Sequence, residues 1–278
     1  MIDRIKLGSR TAKGGFDNEL DIVRKFNNWK EDRTAQKWLE IMGYKLNNLD
    51  SVTAIQVPTK ISQKDIEKYN LTIKEYNEFV RFKKADAQVK LIIKIGNIVK
   101  IENLSLKKAN SNADYNQIDK RSVDSYQEMW KFDDEIAFWL KLFTGEILPN
   151  EANYLMGDIK PRTNHRLFLD EMPKIIQNKI VKFFERNKIL VISDILKGRG
   201  GLSANWILVT MKNVDIKSSS WILKDINTAM NFYGDGNVYI SPRGSLHIGK
   251  ITMQRKGGTP DPTKIQFKFK PCELFEID

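Results

Sequence analysis

The spacing of hydrophobic and polar residues changes period several times along this chain, and each change marks an element. Phe16, Leu20, Val23 and Phe26 recur at helical spacing, with Asp17 or Asn18 where an N-terminal cap would stand. A second helix is predicted over 36–42, stopped by Gly43. Residues 59–84 are rich in Lys, Glu, Asn and Tyr, and the spacing of Ile66, Tyr69, Tyr76 and Phe79 predicts an appended helix or two. From Val89 the period falls to two. Val89, Leu91, Ile93 and Ile95 alternate with Lys90, Ile92 and Lys94, the pattern of a half-buried strand. Gly96-Asn97 is a two-residue turn signal, so Ile98 starts the returning strand of a hairpin.

Farther along, one long helix is predicted over 124–143, ended by Thr144-Gly145, with Met129, Trp130, Ile136, Trp139, Leu140 and Phe143 on its apolar side. Helical periodicity is the mark of burial, so these aromatics read as core and not as a base-stacking platform. Pro149, Gly157 and Pro161 make 148–166 a connector. A helix over 171–186 then introduces strands at 189–193, 206–211, 238–241, 247–254 and 265–269, with a short helix near 224–232 between them. The predicted organisation is α/β. A lobe over 1–147 carries the hairpin and a helical insertion near 59–84, and a β-rich lobe covers 148–278, unless the two form one continuous bilobal domain.

Composition narrows the partners. The 278 residues carry a formal net charge of +11, which favours a polyanion and makes its binding sensitive to salt. Between 241 and 270 the basic residues Arg243, Lys250, Arg255, Lys256, Lys264, Lys268 and Lys270 face one acid, Asp261. Such a cluster is either a nucleic-acid contact or a solvated basic face. The single cysteine, Cys272, gives neither a disulfide framework nor a cysteine zinc site, and the two histidines, His165 and His247, are too far apart to suggest a histidine metal centre. No apolar run approaches a membrane span and the first residues lack a signal-peptide core, so a cytoplasmic location is expected.

The candidate chemistry sits on the hairpin. Ser105 and Lys107 fall on one face of the second strand, Leu104 and Leu106 on the other, and Asp86 at the start of the first strand can lie beside them. A carboxylate, the Leu106 carbonyl and phosphate oxygens suffice for Mg²⁺, a hard cation that keeps several waters. A lysine there adds positive charge where negative charge develops. On spacing alone, an exposed hairpin with solvated lysines explains the same residues.

Six further segments carry a resemblance. Leu7-Gly8-Ser9-Arg10-Thr11-Ala12-Lys13, Asn116-Gln117-Ile118-Asp119-Lys120, the run from Tyr126 to Asp134, the run from Asp194 to Gly200, Ser241-Pro242-Arg243-Gly244-Ser245 and Gln254-Arg255-Lys256-Gly257-Gly258 stand in the order found in monomeric type II restriction endonucleases of the PD-(D/E)XK superfamily. The chain resembles the GCGC-cutting kind known from Haemophilus and, more distantly, the MvaI and BcnI group. The resemblance implies a PD-(D/E)XK core, a mixed sheet flanked by helices, with a β-rich DNA-recognition lobe. It implies Mg²⁺-dependent hydrolysis of double-stranded DNA at a short GC-rich site, GCGC or a GC-N-GC relative. Asp86, Ser105, Leu106 and Lys107 fall on the family motif Asp, then Gln-Val-Lys, without a gap. Ser105 departs from the Gln, and a hydroxyl is a shorter ligand that a water would bridge. Glu19 matches the family's first-helix acid, which such nucleases lend to the metal; an ordinary first-turn glutamate favoured by the helix dipole explains it equally.

For recognition, Arg243 and Arg255 are expected on guanines, where bidentate arginine is the strongest major-groove contact, or, with Lys256, on phosphates alone. Lys256 is expected on a base or phosphate, and Ser245 joins them. In the related enzymes the glutamine matching Gln117 inserts among the bases at the centre of the site, with Asn116 and Lys120 flanking it. The resemblance also implies one active site per chain, a monomer or weak dimer on DNA, and a cognate DNA methyltransferase acting on the same site. Two alternatives stay open: a partner-dependent subunit of a heteromeric enzyme, kept alive by Ser105 and the 59–84 insertion, and a catalytically disabled sequence-specific DNA-binding protein.

Overall fold

The computed structural model describes residues 4–58, 61–69, 71–79, 88–109, 115–152, 157, 159–212, 219–256 and 263–277. Along the chain come α1 (Arg4–Asn27), α2 (Arg33–Ile41), β1 (Ser51–Val57), α3 (Ile73–Phe79), β2 (Gln88–Ile95), β3 (Ile98–Ala109), β4 (Asn116–Arg121), α4 (Val123–Trp130) and α5 (Asp134–Thr144). There follow α6 (Lys174–Arg186), α7 (Lys188–Leu196), β5 (Trp206–Lys212), β6 (Ser219–Asp225), α8 (Ile226–Gly234), β7 (Val238–Ile240), β8 (Leu246–Ile248), β9 (Ile251–Arg255) and β10 (Ile265–Phe269).

The chain divides into two units, and neither is continuous. One comprises 1–116, 196–230 and 270–278, the other 117–195 and 231–269. Residue 147, where a division was expected, lies within the 117–195 segment of the second unit. In the first unit the sheet order is β1-β2-β3-β5-β6, antiparallel except for β3 and β5, which pair in parallel from Leu104↔Trp206 to Ala109↔Met211. Strand β5, expected in the second lobe, and β6 complete the sheet that carries the hairpin.

The hairpin itself forms as its pattern predicts: Gly96 has φ +55 in the turn, and the register runs from Ile95↔Ile98 to Gln88↔Ser105. Val89, Leu91, Ile93, Leu104 and Leu106 pack with Ile22, Phe26, Trp38 and Leu39 from α1 and α2. The Asn27 side chain extends this packing by pairing like a strand with the edge of β1, donating to the Ala54 carbonyl at 3.1 Å and accepting from the Ala54 N–H at 2.7 Å. On the opposite face Val57 joins Ile61, Ile66, Tyr69, Leu71 and Leu202 in a smaller cluster. The insertion is thus a cover for the sheet and not a loose appendage.

The second unit holds the sheet β4-β10-β9-β8-β7. Its centre is aromatic: Tyr126 stacks on Trp130 at 4.6 Å, both rings meet Phe267 edge-on, and the Trp130 N–H donates to Asp194 at 2.9 Å. The predicted stripe is core, as expected, since Met129, Trp130, Ile136, Trp139, Leu140 and Phe143 are all buried.

Several expected elements differ. The helix predicted over 124–143 is two helices, because Lys131 takes a left-handed conformation (φ 59) and Asp133 caps α5 by accepting from the Ile136 N–H at 2.9 Å. The strand expected at 189–193 is part of α7. Val191, Ile192, Ile195 and Leu196 are buried there at helical spacing, while Ile189 is 82% exposed. The strand expected over 247–254 breaks into β8 and β9 at Gly249, where φ is +56 and a Cβ would lie 2.4 Å from the Asp235 carbonyl oxygen. Strand β6 was not foreseen, and the helix expected near 224–232 starts only at Ile226, after Asp225 caps it through the Asn227 N–H. Phe16 is exposed, and the buried stripe of α1 runs through Ile22 and Phe26 instead.

Candidate active site and nucleic-acid interface

Strand β3 positions the candidate catalytic pair. Its side chains alternate, so Leu104 and Leu106 enter the core against α1 and α2, while Asn103, Ser105 and Lys107 share the other face. Both site residues are buried: Ser105 is 0% exposed and Lys107 5%. The reading of this strand as a solvated surface hairpin fails at these positions, although Lys94 and Lys100 near the turn do face solvent. Ser105 lies between Gln88 on β2 and Ile207 on β5, and Lys107 beside Val209. Asp86 lies outside the described residues, as does the rest of the segment before Gln88.

On the same face, and unforeseen, Lys90 is 1% exposed and donates to the Tyr69 carbonyl. Burial pushes its ammonium pKa down, and the Glu75 charge partly opposes this. The adjacent Asn103 donates to the carbonyls of Gly201 and Ser203 at 3.1 and 3.0 Å. Lys90 was visible in the sequence only as a polar residue of an alternating strand; nothing local distinguishes a covered lysine from a solvated one.

The Glu19 expectation changes its footing. Helix α1 begins at Arg4, so Glu19 is no first-turn residue and Asp17 and Asn18 are no cap. Glu19 accepts from the Gln56 amide at 2.5 Å. Gln56 has the parity of Val52 and Ala54 on β1, which face α1 and α2, the sheet face opposite Ser105 and Lys107. Asn18 meets the Thr210 hydroxyl of β5 at 2.8 Å.

A magnesium ion requires oxygen donors and negative charge. Among the described residues no group of three His, Cys, Asp or Glu stands together. Strand β3 offers the Ser105 hydroxyl and the Leu106 carbonyl, both neutral. These donors suit a hard divalent ion once one carboxylate, the role expected of Asp86, and phosphate oxygens complete the set.

The recognition candidates divide between elements. On β4, Gln117 shares parity with Asp119 and Arg121, whereas Asn116 and Lys120 share the face of Ile118. Asp119 is 1% exposed and accepts from the Arg121 guanidinium at 2.9 Å and the Tyr126 hydroxyl at 3.2 Å, which fixes the strand that presents Gln117. Arg243 is exposed in the turn between β7 and β8, closed by the Ser241 N–H to the Ser245 carbonyl at 2.8 Å and by the Gly244 N–H to the Ser241 carbonyl at 2.8 Å. Ser245 is half-buried at its end.

Arg255 ends β9 with the parity of the buried Ile251 and Met253, and burial lowers its guanidinium pKa. Lys256 follows it, its N–H donating to the Lys264 carbonyl at 2.8 Å. The basic cluster read from 241–270 is not one stripe. Lys268 pairs across from Thr252 on the sheet face opposite Arg255, and Lys250 lies over the Phe232 ring at 3.7 Å. Period-two alternation sends neighbours in sequence to opposite faces.

A family model described as "R.HinP1I restriction endonuclease" matches residues 62–275. Among solved structures, the restriction endonuclease MspI in complex with its cognate DNA superposes with a TM-score of 0.56 at 12% identity, covering 96% of this chain and 93% of that one. The mixed sheet with its flanking helices accordingly has a restriction-endonuclease fold of the PD-(D/E)XK kind. No curated protein sequence matches the chain. No helix among the described residues is long and apolar enough to cross a membrane.

Proposed function

Because this chain belongs to the R.HinP1I restriction endonuclease family, we propose that, as a type II enzyme, it hydrolyses double-stranded DNA with Mg²⁺ at a short GC-rich site, GCGC or a GC-N-GC relative. The observation that carries this reading is the β3 pair: a hydroxyl and an ammonium two residues apart, on one face of a central strand and both buried. An ammonium on that face can stabilise the negative charge that develops on a phosphodiester.

In this reading Asp86, the Leu106 carbonyl and Ser105, through a water, hold the ion. Bound Mg²⁺ supplies Lewis acidity to the attacking water and the phosphate. Lys107 stands over the charge that develops in line and orients the water, and the product carries a 5′ phosphate. Glu19, tied to Gln56 on the opposite face of the sheet, holds α1 against β1 and is not among the ligands of this ion. Gln117 enters the stack at the centre of the site, Asn116 and Lys120 hold the DNA around it, Arg243 and Arg255 read guanines, and Lys256 and Ser245 support them. The chain acts as a monomer or weak dimer with one active site, nicking one strand at a time, and a methyltransferase protects the same site in the cell.

Supercoiled plasmid rich in GC sites, incubated with the pure chain with and without Mg²⁺, tests this. Expected are Mg²⁺-dependent nicking followed by linear DNA with defined ends, and a loss of about 10²–10³-fold in rate for Lys107→Met and for Asp86→Ala. Cleavage that survives both substitutions overturns the assignment. Ser105, fully buried where the family carries Gln, sustains two other readings: tight specific binding without cleavage would mark either a subunit that needs a partner or a catalytically disabled DNA-binding protein.

A further inference from the structure

The segment expected to be a plain connector folds into a bracket in the second unit. Thr163 bridges to Arg166, and a short 3-10 turn follows over Leu169–Glu171. The Glu171 carboxylate accepts from the backbone N–H groups of both Arg162 and Phe168 at 2.6 Å. The Arg162 guanidinium is held by Asp170 and lies 3.5 Å from Glu171. Asp170 thus holds Arg162, while Glu171 is shared between two backbone N–H groups and the charges of Arg162 and Arg166.

Arg166 is placed differently. Its guanidinium lies 4.0 Å from the centre of the Phe168 ring, and the Phe143 ring is 5.8 Å away. A cation over an aromatic face is attracted by the ring while its N–H donors stay able to bond an oxyanion. Phe168 also supports the Arg243 turn. At Gly244 (φ +73) a Cβ would come within 2.6 Å of the Phe168 Cβ and 2.4 Å of Asp170 Oδ1, and the Leu169 N–H donates to the Gly244 carbonyl at 3.3 Å.

We propose that Arg166, held over Phe168 beside the Arg243 turn, binds a phosphate of the DNA backbone. The inference rests on the reading of this chain as a DNA-cleaving enzyme and adds a contact to it. Burial and the nearby Arg255 both lower the Arg166 pKa, with Glu171 opposing them. A full negative charge offsets that repulsion. A base edge, which offers only partial charges, does so poorly. Phosphate contacts set register and orientation without reading sequence, which suits a residue braced against the turn that presents Arg243.

The test is equilibrium binding without Mg²⁺ to two duplexes of equal length and composition, one carrying GCGC and one lacking it, between about 50 and 200 mM KCl. Arg166→Gln should weaken binding to both duplexes by the same factor and reduce the slope of log K against log salt by about 0.9, the contribution of one phosphate. Arg166→Met, which keeps the apolar contact with Phe168, is the second neutral variant should the first fail to fold. Arg166→Lys should keep the wild-type slope. Arg162→Gln should leave the slope unchanged, since that charge is already paired. An unchanged slope in the neutral variants overturns the inference. So does a lost preference for one duplex at constant slope, which would make Arg166 a base reader. Wild-type protein that binds neither duplex overturns the DNA-cleaving reading itself, a result separate from either of these.

Discussion

A charged side chain on a strand costs little when it faces water; Lys90 and Lys107, at 1% and 5% exposure, do not. Burial of an ammonium is unfavourable unless an acceptor or anion compensates, so each must be read together with what covers it. For Lys90 the cover is the Tyr69 carbonyl and the Glu75 charge, which ties the insertion to the sheet. His247 has surroundings that bear on stability. It stacks on Tyr239 at 4.9 Å, and burial lowers its pKa below the ordinary 6.5. A depressed folded pKa means that the neutral form is favoured by folding. The corresponding stability is complete above 6.5 and is lost as pH falls from there through the folded value. The melting temperature of the wild type should therefore drop more between about pH 8 and about pH 5 than that of His247→Gln. Equal drops would show that His247 is not coupled to folding.

Among the elements, the break between α4 and α5 shows a local conflict resolved by tertiary packing. The apolar positions from Met129 to Phe143 suggest one helix, yet Lys131 adopts φ 59 and lets the chain turn before Asp133 starts α5. A non-glycine residue in the left-handed region costs roughly 1–2 kcal/mol. Lys131→Gly should then raise stability by up to about 1 kcal/mol, after allowing for the greater freedom of glycine in the unfolded chain, read as a higher urea midpoint at constant m-value. A lower midpoint would mean that the lysine side chain contributes more than its backbone costs. The same weighing explains α7, where a run of β-branched and aliphatic residues forms a helix because that geometry buries Val191, Ile192, Ile195 and Leu196 together.

At the scale of the molecule, the sheet that carries Ser105 and Lys107 is complete only when β5 and β6 arrive from 206–225. The chain leaves the first unit at 116, returns at 196, leaves again after 230 and returns at 270. A fragment ending at 147 would expose the β3 edge along its whole pairing with β5, and an unpaired central edge invites aggregation. Such a fragment should give no dispersed amide NMR spectrum, whereas the full chain should. A folded fragment would show that the hairpin and α1 suffice.

What the sequence determined by itself is the local geometry. A period of two with a Gly96-Asn97 turn dictates a hairpin in one register, alternation places Ser105 and Lys107 on one face, and aromatic residues at helical spacing dictate a buried helix face. These follow from backbone periodicity, which acts between near neighbours. The tertiary structure alone decided that β5 lies beside β3, that the insertion covers Lys90, that the basic residues of 241–270 divide between two faces, and that a supposed connector braces Arg166 against the Arg243 turn. Such pairings depend on which distant surfaces exclude water together, a free energy of burial that no short window of sequence contains.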